Sequence, residues 1–226
     1  TDFTNEYQSF IVHSNDELDR NKITFPYFPF QTLRSFLNLV QDKETNIIFT
    51  AIDKFVIIKE ICIGLEQLHE HSIYHQNLNS SYIVINNNKD SYISNFAFDL
   101  KLEQHQTKLV PSFYYRHPDL IKTPRSLTMD ENLSESEKER YKMCKKYDIY
   151  SFGVLIYEII TTSGIDDLFG NKTRQERINI LSDNYKNFLF SKYDEEQIDF
   201  DSKYEIEGIR KIIEKCMETK NIYSSI

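Results

Sequence analysis

The sequence has 226 residues, 40% of them hydrophobic and 14% aromatic, so it is long enough for one large domain and apolar enough to bury a core. Five glycines and five prolines exclude a collagen-like chain or a flexible linker. The formal net charge of −8 disfavours general binding to nucleic-acid phosphates, and we expect no nucleic-acid partner.

The cysteines and the apolar runs indicate the cellular compartment of the protein. The three cysteines are far apart and form no C-x-x-C pair, which predicts neither a disulfide framework nor a zinc site and favours a reducing compartment. The strongest apolar runs, Phe55–Leu65 and Gly153–Ile160, are short and contain charges, which indicates buried helices rather than membrane spans. We therefore expect a cytoplasmic protein with no membrane contact. Because the first residue is Thr1 rather than Met, it stays open whether the sequence is a fragment of a longer chain.

The first part of the chain contains β-type runs followed by a helix. Ser9–Val12 and Lys22–Tyr27 are predicted strands, and the proline-containing segment Pro26–Pro29 ends the second of them. Thr32–Val40 has apolar residues at helical spacing, with Thr32 as the predicted N-cap.

A longer helix and a small hairpin come next. Ala51–His71 has apolar side chains at i, i+3 and i+4 spacing, which predicts a helix. Tyr82–Ile85 and Tyr92–Ser94 are short apolar runs on either side of the turn-forming cluster Asn86–Asp90, which predicts a β-hairpin.

The remainder of the chain is predicted to be mainly helical. Helices are expected at Tyr147–Thr162, Thr173–Leu181 and Tyr204–Met217. Residues 123–146 are charged and poor in apolar side chains, which predicts an exposed insertion with at most a short helix near Ser134–Cys144. No alternation of strands and helices occurs, which argues against a doubly wound parallel sheet.

Four motifs occur in a fixed order. Ile73–Ile85 is IYHQNLNSSYIVI, and ISNFAF, YYRHPDL and YDIYSFGVLIYEI follow it. Their order and spacing resemble the C-terminal lobe of eukaryotic protein kinases, with its catalytic loop, D-F-G, A-P-E and the helix that opens D-x-W-S-F-G. The resemblance implies an α+β, protein-kinase-like fold with a mainly α-helical C-lobe. It implies one domain over 1–226, comprising a truncated β N-lobe remnant and hinge at 1–30 and a C-lobe at 31–226 with the insertion 123–146.

The same resemblance places neutral residues where the family has catalytic ones. Asn77 stands at the position of the catalytic aspartate and Asn79 at that of the loop lysine. Tyr82 stands at the metal-binding asparagine, and Asn95 at the aspartate of D-F-G. An amide is not a base near neutral pH, and a phenol is a poor Mg²⁺ ligand. In addition, the glycines form no phosphate-binding loop. The resemblance therefore implies no intact catalytic residue, no metal site, and weak or absent binding of ATP and Mg²⁺. Weak Mg²⁺ binding through the Asn95 amide oxygen stays open as an alternative.

Other matching positions imply structural roles. Asp148 matches the aspartate that braces the catalytic loop. Gln76 replaces the arginine that receives an activation-loop phosphate, and the arginine expected to pair with Asp119 falls near Tyr223. The structural motif residues are His75, Phe96, Pro118, Asp119, Asp148 and Gly153, and the vestigial nucleotide-binding candidates are Pro26, Phe28 and Val84.

These substitutions lead to the functional hypotheses. The first is a catalytically inactive pseudokinase, not an enzyme and without a cofactor, that acts as a protein-interaction or allosteric module in signalling. An unidentified protein partner is expected to dock at the insertion 123–146. The alternative is an ATP-dependent Ser/Thr or Tyr protein kinase with unorthodox active-site residues and an incomplete N-lobe. A third reading is a remnant that barely folds.

Overall fold

The computed structural model describes residues 32–94, 111–122, 136–195 and 203–218. The chain divides into two compact units, one formed by residues 1–74 and 80–96 and the other by residues 75–79 and 97–226. Several sequence predictions fall outside the described residues: the strands Ser9–Val12 and Lys22–Tyr27, and the site candidates Pro26, Phe28, Asn95 and Phe96.

Two capped helices begin the first unit. Helix α1, Leu33–Gln41, starts after Thr32, whose side-chain hydroxyl accepts a hydrogen bond from the backbone N–H of Ser35 at 3.2 Å. Helix α2, Ala51–Glu70, starts with a capping box formed by Thr50 and Asp53. Both predicted helices and the predicted Thr32 cap are confirmed.

The predicted hairpin is also confirmed. Strands β1, Ile83–Ile85, and β2, Ser91–Ile93, pair antiparallel with Ile83 opposite Ile93. Glu60 of α2 fastens the hairpin, because its carboxylate accepts both the N–H and the hydroxyl of Ser91, at 2.7 and 2.9 Å. Burial raises the pKa of Glu60, and the two hydrogen bonds from Ser91 oppose that rise.

The second unit is built around one long buried helix. Its described elements are the 3₁₀ turns Pro111–Tyr115 and Asp167–Phe169, the π-helical turn Ile180–Asn184, and the helices α3 (Pro118–Lys122), α4 (Ser136–Thr161), α5 (Arg174–Asn179), α6 (Tyr185–Glu195) and α7 (Lys203–Cys216). Helices α4 and α7 pack closely at Gly153. A Cβ atom there would lie 2.8 Å from Cys216 Cβ and 2.9 Å from Met217 Cγ. The glycine therefore sets the distance between the two helices.

Two helices differ from the sequence predictions. Helix α4 begins at Ser136 rather than at Tyr147, so it includes the second part of the predicted insertion 123–146. Its first turns are rich in Lys and Glu and carry little apolar periodicity, but they propagate from a buried helix, and Cys144 is already buried. Helix α6 was not predicted, and the rest of the insertion, 123–135, lies outside the described residues.

The described part of the chain is mainly helical with one two-stranded sheet, which confirms the expected fold class. None of its helices is both long enough and apolar enough to cross a lipid bilayer.

Candidate functional site

The loop His75–Asn79 is held by a carboxylate from helix α4. Asp148 accepts the backbone N–H of His75 at 2.8 Å through one oxygen and that of Gln76 at 2.7 Å through the other. Asp148 is buried, and Gln76 has a positive φ of 62°. Hydrogen bonds from two amides to one buried side chain fix the path of the loop at this strained position.

The loop side chains complete this arrangement. The side-chain amide of Asn79 donates to the carbonyl of Asn77 at 2.7 Å, and the N–H of Asn77 donates to His75 Nδ1 at 3.4 Å. His75 and Asn79 are buried, so Asn79 braces the loop from within. The side chain of Asn77 is half-buried and forms no hydrogen bond within the described ranges.

Two further candidates belong to the other unit. The carbonyl of Tyr82 accepts both the N–H and the hydroxyl of Ser94, at 2.8 and 2.9 Å. Val84 lies on β1 and forms a backbone bridge with Thr32. The structure thus brings His75, Asn77, Asn79 and Asp148 together within one unit.

The described residues do not fit a Mg²⁺ site. Nowhere in the described ranges do three His, Cys, Asp or Glu side chains come together to hold a metal ion. Tyr82 offers a neutral phenol, which is a poor ligand for a hard cation. We derive no step through a metal ion.

The segment from Pro111 to Asp119 is anchored to helix α4. The hydroxyl of Tyr115 donates to the buried carboxylate of Glu158, and the hydroxyl of Ser151 donates to the carbonyl of Tyr115 at 2.8 Å. Sequence reasoning did not find Glu158, because its partner lies 43 residues away and no local pattern links the two.

Asp119 forms an ion pair with Lys146. The Lys146 ammonium lies 3.6 Å from Asp119 Oδ2, while the expected arginine position near Tyr223 is outside the described residues. The N–H of Asp119 donates to Nδ1 of the buried His117 at 3.1 Å. Burial and the nearby Lys146 lower the pKa of His117 to about 4, although Asp119 acts in the opposite direction. His117 is therefore neutral at pH 7.

Arg177 of α5 is a further residue that sequence reasoning missed. One terminal guanidinium nitrogen donates to the hydroxyl of Tyr114 at 2.6 Å, and the other donates to the carbonyl of Gly170 at 2.6 Å. Its Nε donates to the carbonyl of Lys172 at 2.9 Å. Tyr114 lies 63 residues earlier in the chain, so only the fold reveals this contact.

Comparisons with known proteins give one family. The model of the protein kinase domain matches residues 9–222. Calmodulin-binding receptor-like cytoplasmic kinase 3 of Arabidopsis thaliana is 25% identical over 81% of this chain and 32% of its own length. Cysteine-rich receptor-like protein kinase 10 of Oryza sativa subsp. japonica is 32% identical over 48% of this chain and 15% of its own, and Serine/threonine-protein kinase SKM1 of Saccharomyces cerevisiae is 26% identical over 46% and 14%. The chain thus spans about a third or less of the length of these relatives.

These relatives correct one prediction. The substituted loop residues led to the prediction that the chain is not an enzyme, but the similar proteins are named as kinases, several of them as serine/threonine-protein kinases. The expectation rested on substituted side chains, and loss of a general base lowers a rate by about 10²–10⁴-fold without removing the other contributions to catalysis. The prediction is therefore wrong, and the similarities point to an enzyme.

The family model and the structure agree on the family of this chain. The family model covers almost the whole chain, and the loop, the bracing Asp148 and the mainly helical architecture occur where the four sequence motifs predict them. The chain belongs to the protein kinase family.

Proposed function

We propose that this chain is part of an ATP-dependent protein kinase that transfers a phosphoryl group to a protein hydroxyl, with serine and threonine as the first candidates. The observation that carries the proposal is the loop His75–Asn79, whose backbone is fastened by Asp148 at 2.8 and 2.7 Å. A preorganised loop of this kind is the part of the site that positions a substrate. The serine/threonine specificity in the names of several relatives supports the choice of hydroxyl.

The proposed reaction assigns orientation, rather than proton removal, to Asn77. Its amide oxygen accepts a hydrogen bond from the substrate hydroxyl and aims the oxygen at the γ-phosphorus of ATP. As the new P–O bond forms and the bond to ADP breaks, the hydroxyl proton passes to a phosphoryl oxygen of the product. Phosphoryl transfer has a loose transition state with little charge on the nucleophile, so catalysis depends mainly on positioning and charge neutralisation. The expected activity is slow.

Restoring a carboxylate at position 77 tests the proposal. The protein carrying this chain is incubated with labelled ATP, divalent cations and generic protein substrates. Slow incorporation is expected, and Asn77→Asp should raise its rate by about 10²-fold, because an aspartate adds a general base to the same loop. Asn88→Asp is the matched control, since it introduces the same charge in the exposed hairpin turn. Absence of transfer from both the natural protein and Asn77→Asp would exclude the proposal.

The cellular setting is part of the same proposal. We propose a cytoplasmic, signalling role, supported by the three free cysteines and by the relatives named as receptor-like cytoplasmic kinases. A protein partner at residues 123–146 stays a proposal, supported by the exposed Met143 and Lys145 on the described part of that segment. A variant with Met143→Ser and Lys145→Glu that retains the full set of co-purifying proteins would exclude such docking.

A further inference from the structure

The segment Pro111–Asp119 ends in Pro118 and Asp119, which match, by the sequence resemblance, the end of the kinase activation segment. Kinase activation loops are ordered by new contacts between arginine and a phosphorylated residue. In this chain the residue at the receiving position is Gln76, which is neutral, and its backbone N–H is already bonded to Asp148 at 2.7 Å. A phosphate would therefore find no guanidinium at this position.

Arg177 contacts the same segment from another direction. Its guanidinium donates to the Tyr114 hydroxyl at 2.6 Å while its other nitrogens donate to the carbonyls of Gly170 and Lys172 at 2.6 and 2.9 Å. These carbonyls belong to the chain that leads into α5, so this chain holds two of the three guanidinium nitrogens. A planar guanidinium that is held by two carbonyls presents its remaining terminal nitrogen in one direction.

Aromatic packing supports the same contact. The ring of Tyr114 lies 5.0 Å from that of Phe169, and the guanidinium of Arg177 lies 5.8 Å from the Phe169 ring centroid. Tyr114 is 3% exposed and Arg177 is half-buried, so their hydrogen bond is partly shielded from water. The next residue, Tyr115, is held by Glu158 and Ser151. Two adjacent tyrosines thus attach the segment to α5 and to α4.

We propose that Arg177 holds the end of the activation segment through Tyr114 without a phosphate, and that it is thereby a positioning residue for the protein substrate. This proposal rests on the proposed kinase function. The anchor is built from unmodified side chains, so the end of the segment is ordered before any phosphorylation. The same anchor makes substrate binding, rather than ATP binding, depend on Arg177.

Amide hydrogen exchange tests the anchor independently of activity. The N–H of Arg116 donates to the carbonyl of Phe113 at 3.3 Å and reports on the segment. In the phosphatase-treated protein, Arg177→Gln should raise the exchange rate at Arg116 about tenfold, because a charge-assisted hydrogen bond and its fixed geometry are lost. Arg174→Gln is the matched control, since Arg174 is exposed at the start of the same helix.

Kinetics and a second variant complete the test. Arg177→Gln should raise the KM for the protein substrate about tenfold and leave the KM for ATP within about twofold, because only the segment is released. Tyr114→Phe removes the acceptor alone and should reproduce both effects, and the double variant should add nothing further. Arg177→Lys should not restore the wild-type values, because lysine lacks the planar fork.

A different result would overturn each part of the proposal. Equal exchange at Arg116 in Arg177→Gln and Arg174→Gln would overturn the anchor, as would loss of protection at Arg116 on phosphatase treatment of the natural protein. A KM for ATP that rises as much as that for the protein substrate would overturn the positioning role. If no phosphotransfer occurs at all, the proposed kinase function fails, while exchange at Arg116 still decides whether Arg177 anchors the segment.

Discussion

Asp148 connects two parts of the second unit that are far apart in sequence. It lies in the buried part of α4 and accepts hydrogen bonds from amides 73 and 72 residues earlier. Removing the carboxylate leaves two N–H groups without their acceptor, whereas removing the half-buried amide of Asn77 leaves no described group unpaired. We therefore expect Asp148 to contribute more than Asn77 to the free energy of unfolding, although both residues belong to the loop arrangement.

Asp148→Ala should lower the free energy of unfolding by about 1–3 kcal/mol, the cost of orphaned buried donors. Asn77→Ala should change it by less than about 0.5 kcal/mol. Urea unfolding of both variants measures the difference. Equal denaturation midpoints would contradict the assignment of Asp148 as the brace of the loop.

His117 should make stability depend on pH. Its pKa is about 4 in the folded protein and near 6.5 in the unfolded chain, so the unfolded chain binds more protons between these values. Stability should fall as the pH decreases from about 6.5 to about 4, by roughly 3 kcal/mol for this group. The charged and titratable groups around it are Asp119, Lys146, Tyr147 and Tyr150.

The variant His117→Asn isolates this contribution, because asparagine offers an oxygen to the Asp119 N–H but does not titrate. The difference in unfolding free energy between the natural protein and the variant should change across pH 4–6.5 and stay constant above it. His71→Asn, at an exposed histidine, is the control. A constant difference over the whole range would show that His117 is not buried in its neutral form.

Residues of the site divide by whether sequence alone can reveal them. The motif at Ile73–Ile85 fixes the loop residues by order and spacing, and Asp148 follows from the motif that opens the buried helix. Lys146 and Arg177 have no such signal, because their partners Asp119 and Tyr114 are brought to them only by the fold.

At the scale of elements, apolar periodicity predicted the helices that bury one side. Helices α1 and α2 have strong caps and regular apolar spacing, and both were found. At the start of α4 the sequence predicted at most a short helix near Ser134–Cys144 and not its continuity with the buried helix, because these charged turns show little periodicity and depend on propagation from the buried part. Helix α6 follows α5 through the π-helical turn Ile180–Asn184, and propensity rules do not anticipate such a turn.

The contact between α4 and α7 gives a prediction at this scale. Gly153→Ala should lower the free energy of unfolding by about 1–3 kcal/mol, because a Cβ atom would lie 2.8 Å from Cys216 Cβ and the helices would have to move apart. Gly208→Ala on α7 is the matched control, since a Cβ there meets nothing within 4 Å. The control should be stabilising by about 0.5–1 kcal/mol, the gain in helix propensity. Thermal unfolding of both variants measures the two stability changes. A destabilised Gly208→Ala or a neutral Gly153→Ala would contradict the packing between α4 and α7.

At the scale of the whole molecule, each compact unit has a buried core of its own. The first unit buries side chains of α1, α2 and the hairpin, and the second buries most of the described side chains of α4 and some of α7. The residues that form these cores are Leu33, Phe36, Ile57, Ile61, Ile83 and Ile93 in the first unit and Val154, Leu155, Tyr157, Ile159, Ile209 and Ile213 in the second. The sequence predicted one domain over 1–226. No local pattern distinguishes the two units, because the loop His75–Asn79 belongs to the second unit although the residues directly before and after it in the chain belong to the first.

Separate cores predict separate opening reactions, which native-state amide exchange resolves. Glu60→Ala removes the acceptor of two hydrogen bonds from Ser91, so it should accelerate exchange in the hairpin and α2 while leaving the buried part of α4 unchanged. Gly153→Ala should do the reverse, because it disturbs only the contact between α4 and α7. We expect each variant to lower the free energy of unfolding by about 1–3 kcal/mol, so each controls for the general effect of lowered stability in the other. If either variant accelerates exchange equally at the amides of Ile93 and Tyr157, the molecule opens as a single cooperative unit and the two cores are not independent.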